Sequence, residues 1–209
     1  MAKVFNVGLI GCGHIAETYF RAHKYFNNFK ITKCADINQN AANKCAKINK
    51  IKAVTIKELL SDTDIKIILN LTIPAAHYEV AKQALLNGKH VYSEKPLAIN
   101  FQDGKKLIKL AKKKKLYVGN APDTFLGGGS QKSRDLLDKK VIGKVIFGNA
   151  IFAYPGIQSY HPNPESWFAK KGGGPVVDMG PYYLTALVNL LGPAKEVLSQ
   201  SEKGKEKRV

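Results

Sequence analysis

The sequence predicts an α/β fold: a doubly wound parallel sheet with helices on both faces, followed by the beginning of a second α/β domain. Three observations carry this. Strand-like and helix-like segments alternate from the N-terminus to about residue 120. Ile65 to Leu71 is almost continuously apolar, the pattern of a parallel strand buried on both faces. The first strand runs straight into Gly11-Cys12-Gly13-His14-Ile15-Ala16, a glycine turn opening a helix.

Taken in order, Val4 to Ile10 is the first strand and His14 to Tyr25 the first helix. Lys30 to Ala35 is the second strand, ending at Asp36, and Gln39 to Ile48 the second helix. A short strand near Ala53 leads to a small helix, Ile56 to Leu60. Pro74 stops the apolar run at Ile65 to Leu71 and opens a helix, Ala75 to Leu86, closed by Gly88. Within it Val80, Ala81, Ala84 and Leu85 share one face. His90 to Tyr92, the helix Phe101 to Lys115 and the strand Leu116 to Val118 complete the βα series. Beyond Asn120 the character changes. Thr124 to Ser130 is glycine-rich, Gln131 to Lys139 reads as helix and Val145 to Tyr154 is β-rich. A long loop from Pro155 to Gly174 precedes an apolar helix, Met179 to Leu191, which Gly192-Pro193 stops. A last strand is expected over Lys195 to Gln200, then a charged tail.

The glycine turn has the form that holds a dinucleotide pyrophosphate. Gly11 permits the tight turn, Gly13 lets backbone approach the phosphates, and Ala16 allows close packing of helix on strand. Cys12, His14 and Ile15 complete the turn, with His14 reaching phosphate or solvent. Asp36 lies 23 residues beyond Gly13 at the end of the second strand. A carboxylate there accepts from both ribose hydroxyls and repels a 2′-phosphate, so NAD is expected in preference to NADP. A bare structural turn is the plainer alternative.

Composition narrows the class. The 209 residues suffice for one domain and part of a second, and 44% are hydrophobic, enough for a core. No apolar run reaches the ~18 residues of a membrane span, and the chain enters its first strand without a signal-peptide pattern. Cys12, Cys34 and Cys45 lack metal-ligand spacing, so no metal and a reduced, cytoplasmic protein are expected. The net charge is +17, almost all lysine; Arg21, Arg134 and Arg208 are the only arginines. Specific nucleic-acid readout leans on arginine. A solvated lysine surface with weak, salt-sensitive affinity for polyanions is the expectation, not a specific nucleic-acid or membrane partner.

Two further motifs follow the turn: Ser93-Glu94-Lys95-Pro96, and Gly172-Gly173-Gly174-Pro175-Val176-Val177-Asp178-Met179-Gly180-Pro181-Tyr182. With these three in this order and spacing, the chain resembles the Gfo/Idh/MocA family of nicotinamide-dependent oxidoreductases. The resemblance spans essentially the whole chain. It implies a Rossmann domain over residues 1–122 and, over 123–209, the start of a domain built on a mostly antiparallel open sheet. In the family that sheet covers the active site and forms a dimer interface, which implies a homo-oligomer. Family members continue well beyond this length, so the sheet is expected to be incomplete, as in a fragment or truncated gene product, with unpaired edges and an exposed apolar face.

The resemblance also implies roles. Lys95 is placed beside the nicotinamide, bonded to the substrate hydroxyl. There a cation stabilises the alkoxide that develops as hydride leaves carbon. Glu94 holds Lys95 in place. Asp178 and Tyr182 are four apart and share a helix face. Much of the family has histidine where Tyr182 stands, which puts the identity of the base in question. A Lys95–Tyr182 pair is favoured, with Asp178 shaping polarity and substrate contacts. Thr72, Ile73, Pro74 and His77 match a strand-end segment that lines the cofactor. A surface turn at Glu94-Lys95-Pro96, core tyrosines at Tyr182 and Tyr183, and a packing histidine at His77 are the structural alternatives. His161 lies in a loop that could approach substrate, and Asn120 to Phe125 lacks the arginine often found there in the family. The implied activity is hydride transfer between NAD(P) and a hydroxyl of a sugar, sugar derivative or cyclitol. The rivals are a non-catalytic NAD(P)-binding protein and a relative using NAD transiently in glycoside cleavage.

Overall fold

The computed structural model describes residues 4–202 apart from 155, 158–164, 166, 167, 169 and 171. The chain divides into two compact units: Met1–Asp123 with Ala153–Pro181, and Thr124–Phe152 with Tyr182–Val209.

The first unit is built on one six-stranded parallel sheet. Its strands are β1 (Phe5–Ile10), β2 (Phe29–Ala35), β3 (Lys52–Ala53), β4 (Ile65–Asn70), β5 (His90–Ser93) and β6 (Val118–Asn120), ordered β3-β2-β1-β4-β5-β6. The chain order reverses across β1, so a crevice opens at the carboxyl ends of β1 and β4. The crossovers are α1 (Ala16–Ala22), α2 (Gln39–Asn49), α3 (Ile56–Ser61), α4 (Pro74–Leu86) and α5 (Phe101–Lys114).

Alternation along β1 divides the core. Val7 and Leu9 pack with Phe20 of α1 and Cys45 and Ala46 of α2. Ile10 joins Leu59 of α3, Ala81, Ala84 and Leu85 of α4 and Leu107 of α5 on the other face. The helix starts are chemically explicit. Asn38 accepts from the amides of Asn40 and Ala41, Thr55 and Glu58 form a capping box, and Asn100 caps Asp103. Lysines 112–114 close α5, where cations suit the helix dipole.

Several boundaries depart from expectation. The helix expected over His14 to Tyr25 is α1 plus a 3-10 turn at His23–Tyr25. The sixth strand sits two residues later than expected, because Lys115 caps α5 in the left-handed conformation and the Leu116 amide bonds to Ala111.

The second unit contains α6 (Gly128–Asp138) and most of α7 (Pro175–Leu191). Both helices begin earlier than periodicity suggests. Gly128 and Gly129 are helical, and Pro175 opens α7 at a position where proline lacks no needed donor. Arg134 donates to the Asn189 carbonyl at 2.9 Å and to Leu190 at 3.4 Å, tying α6 to the free carbonyls ending α7. Phe152 packs against Tyr183 with ring centroids 5.4 Å apart. No strand follows β6 among the described residues; 145–154, read from sequence as β-rich, and 195–200, expected as a strand, join no ladder. No described helix is long and apolar enough to cross a membrane.

Candidate active site

The carboxyl edge of the sheet gathers most of the residues singled out above. Gly11 has φ +102°, and a Cβ there would lie 2.6 Å from the Leu71 carbonyl carbon and oxygen. Only glycine lets β1 turn this close to the end of β4. Gly13 is exposed and a Cβ on it would meet nothing within 4 Å, so its backbone borders open space. Ala16 is buried against the sheet. Asp36 is tied to the turn: the Cys12 amide donates to Oδ2 at 2.7 Å and the Asn38 amide to Oδ1 at 2.8 Å. A close-approach glycine, open space and an anchored carboxylate at the second strand end fit a dinucleotide. His14 and Ile15 are exposed beside them.

At the ends of β4, β5 and β6 stand Asn70, Ser93 and Asn120, paired in register across the sheet. The Asn70 amide donates to the His77 carbonyl at 3.0 Å and to Ser93 Oγ at 3.1 Å, and Thr72 Oγ1 donates to Asn70 Oδ1 at 2.7 Å. Asn120 Nδ2 donates to the carbonyls of Ser93 and Glu94 at 2.9 and 3.0 Å. His77 is buried, its ring nitrogens facing the Pro96 carbonyl at 2.6 Å and the Thr72 carbonyl at 2.8 Å. It clamps the strand-end segment to the turn after Lys95. Ile73 is half exposed beside Pro74 at the start of α4.

Glu94 is held on both carboxylate oxygens. Tyr19 OH donates to Oε1 at 2.7 Å, and the Lys95 amide donates to Oε2 at 3.0 Å. Burial, then the Glu94 charge, pushes the Tyr19 phenol above its ordinary range, so it stays a donor. Lys95 Nζ donates to the Asp178 carboxylate at 2.5 Å and to the Asp178 carbonyl at 2.7 Å. The two side chains are 14% and 10% exposed, so the ion pair is largely removed from water and each charge has its partner. Tyr182 follows Asp178 by one turn on α7. His161 lies outside the described residues.

Asn70, Ser93, Asn120 and Tyr19 were not singled out from sequence. A polar residue ending each of three apolar strands was the available signal for the first three. Cys12, Cys34 and Cys45, without metal-type spacing in sequence, bring their sulfurs within 4.8 Å of one another.

This edge defines a Rossmann-type nucleotide domain with a lysine–carboxylate pair beside the cofactor crevice. Residues 5–121 match the oxidoreductase family with an NAD-binding Rossmann fold, and residues 130–208 match the GFO/IDH/MocA C-terminal domain. The chain belongs to the Gfo/Idh/MocA family. It is 34% identical over 126 residues to the trans-1,2-dihydrobenzene-1,2-diol dehydrogenase of Xenopus laevis, covering 60% of this chain and 37% of that one. It is 28% identical over 215 residues to the dTDP-3,4-didehydro-2,6-dideoxy-alpha-D-glucose 3-reductase of Saccharopolyspora spinosa, covering 100% of this chain and 63% of that one. The 3-ketoreductase KijD10 of Actinomadura kijaniata, solved with NADP and TDP-benzene, shares the fold with TM-score 0.75 at 24% identity, over 91% of this chain and 58% of that one. The chain therefore spans between 37% and 63% of the length of these relatives.

Proposed function

We propose that this chain carries the cofactor half and the proton-handling residues of an NAD-preferring oxidoreductase acting on a hydroxyl of a sugar, sugar derivative or cyclitol. The observation that carries it is the buried Lys95–Asp178 pair at the sheet edge holding the glycine turn. Gly11, Cys12, Gly13, His14 and Ile15 form the phosphate-facing turn, and Asp36 takes the ribose hydroxyls. Thr72, Ile73 and Pro74 line the cofactor, with His77 and Glu94 positioning that wall and Lys95. The nicotinamide, when bound, accepts or gives the hydride.

The protein residues handle the rest of the balance. In the oxidative direction the carbinol carbon loses hydride while its oxygen loses a proton, giving a carbonyl. Lys95 sits as the cation against the forming alkoxide, lowering the barrier electrostatically. Asp178 holds the ammonium in place and keeps its charge from being buried alone. Tyr182 relays the proton from the hydroxyl to solvent, in the place where much of the family has histidine. Residues 1–122 form the cofactor domain and 123–209 the start of the substrate domain. The stretches 145–154 and 195–200 belong to the antiparallel sheet of that domain, which pairs subunits where it is complete.

The sugar-nucleotide reductase and diol dehydrogenase among the relatives support a polyhydroxylated small-molecule substrate. The test is an NADH fluorescence titration of the 209-residue chain with NADPH beside it, then a panel of polyols and sugars with the preferred cofactor. Saturable binding favouring NADH, and turnover of at least one polyol, are expected. Equal affinity for NADPH overturns the role of Asp36, and Asp36→Ala must narrow the preference if that role holds. A cofactor that copurifies and is never consumed favours the glycoside-cleaving relative, and binding without turnover the non-catalytic one.

A further inference from the structure

Three thiols from separate elements meet beneath the glycine turn. Cys12 belongs to the turn, Cys34 to β2 and Cys45 to α2, and their Sγ atoms all lie within 4.8 Å of one another. Cys34 and Cys45 are buried, Cys12 is half-buried, and none is in a disulfide. The dinucleotide site proposed above needs the backbone of Cys12 and none of the three sulfurs. Their polar contacts are few: Cys34 donates to the Ala42 carbonyl at 3.5 Å, Cys12 to the Ala35 carbonyl at 3.6 Å, and Asn49 Nδ2 donates to Cys45 Sγ at 3.8 Å.

We propose that Cys12, Cys34 and Cys45 form a binding site for one thiophilic divalent cation of the zinc class, with the fourth position open to solvent beside Cys12. Soft thiolate sulfur selects such ions over magnesium or calcium. Zinc–sulfur bonds of ~2.3 Å in a tetrahedral site set sulfurs roughly 3.8 Å apart, so the cluster closes on an ion by side-chain shifts of about 1 Å or less. No histidine or carboxylate joins the group among the described residues, which leaves water as the fourth ligand, reached from the half-buried side. Three S–H bonds break, three protons pass to buffer, three sulfur–metal bonds form, and no electron moves. Three thiolates on a divalent ion leave a single negative charge, to which the Asn49 amide already points.

The site couples to the nucleotide turn. The Cys12 amide bonds Asp36 at 2.7 Å, and Gly11 and Gly13 flank it. Drawing Cys12 Sγ onto a cation turns that residue and shifts both the amide and the Asp36 carboxylate. A loaded chain therefore binds NADH more weakly. This consequence rests on the dinucleotide site proposed above; the cation site does not.

The experiment titrates the reduced full chain with Zn(II) against a chromophoric chelator and counts reactive thiols with and without the metal. One Zn(II) per chain, with all three thiols protected, is expected. Each of Cys12→Ser, Cys34→Ser and Cys45→Ser is expected to weaken Zn(II) by at least about tenfold. Zinc affinity unchanged in all three variants means that surface histidines or carboxylates bind the ion, and overturns the site. Since a buried Cys→Ser change can unfold the chain, the unmodified protein is also loaded with Co(II). Intense sulfur-to-cobalt charge-transfer absorption with tetrahedral d–d bands is expected, and their absence sinks the proposal independently of any variant. NADH is then titrated into the apo and zinc-loaded chain. Equal affinity removes the coupling and leaves the site; no NADH binding in either form is a failure of the cofactor site, and the metal titrations stand apart from it.

Discussion

Leu9, Ile10 and Ile68 in the first unit have no exposed surface, whereas Ile146 and Leu198 in the second are 92% and 100% exposed. The two regions share the same apolar residue types, isoleucine and leucine. They differ in partners. Every strand of the first unit has a ladder neighbour, and helices cover both faces of the sheet. Residues 145–154 have the composition of a strand but join no ladder among the described residues, and most of them stay exposed. Strand propensity is mostly the fit of a side chain to a half-buried pleated surface. Without that surface the same residues gain nothing from alignment.

The largest expected effect lies in the packed unit. Lys95→Met is expected to lower turnover of a polyol substrate by roughly 10²–10⁴-fold, with NADH affinity little changed in the fluorescence titration. Retained turnover would break the assignment of proton handling to this edge. Stability separates the units more directly. Leu9→Ala leaves a cavity between the sheet and α1–α2 and is expected to cost about 2–5 kcal/mol in urea denaturation. Phe147→Ser, at a residue 79% exposed, is expected to stay within about 0.5 kcal/mol. Equal costs would mean that the second unit is packed in solution by something that covers it.

Glycine replacements sharpen the same contrast. Gly11→Ala forces a left-handed backbone on alanine and drives its methyl to 2.6 Å from the Leu71 carbonyl. A cost of about 1–3 kcal/mol and loss of NADH binding are expected. Gly148→Ala in the second unit meets only the tip of the Leu191 side chain, at 2.9 Å, which can swing away. Its midpoint in urea should move less than that of Gly11→Ala, and the reverse order would refute the strain argument.

The smallest effect is alkaline. Burial, then the charges of Asp123 and Glu94, push the Tyr92 phenol from 10.0 up to about 12. A folded-state value above the unfolded one favours the protonated fold. This contribution is complete below pH 10 and is lost as pH rises to about 12. The fall of the urea midpoint over that window should be shallower in Tyr92→Phe. An identical slope would show that Tyr92 is not buried as described.

Much of the first unit was legible in sequence because its signals are local. Gly11 and Gly13 mark the turn, Pro74 and Gly88 bracket α4, and Ile65 to Leu71 shows a doubly buried strand. These elements were found within a few residues. The exceptions follow from hydrogen bonds that composition does not encode, as where Lys115 caps α5 and delays β6. Helix α7 was recognised from its apolar run, while its start was missed because Pro175 and Val176 precede the periodic stretch.

By itself the sequence determined the α/β alternation, the glycine turn, the acid at Asp36 and the motif that carries Lys95. Only the tertiary structure decided what those residues meet. Lys95 and Asp178 are 83 positions apart, and no periodicity links them. His77 has both ring nitrogens against carbonyls from different segments, and three cysteines of unrelated spacing converge under one turn. Periodicity and turn chemistry act over a few residues of chain. Contacts between distant residues are set by strand register and by which faces are buried together, and these exist only once the sheet has formed.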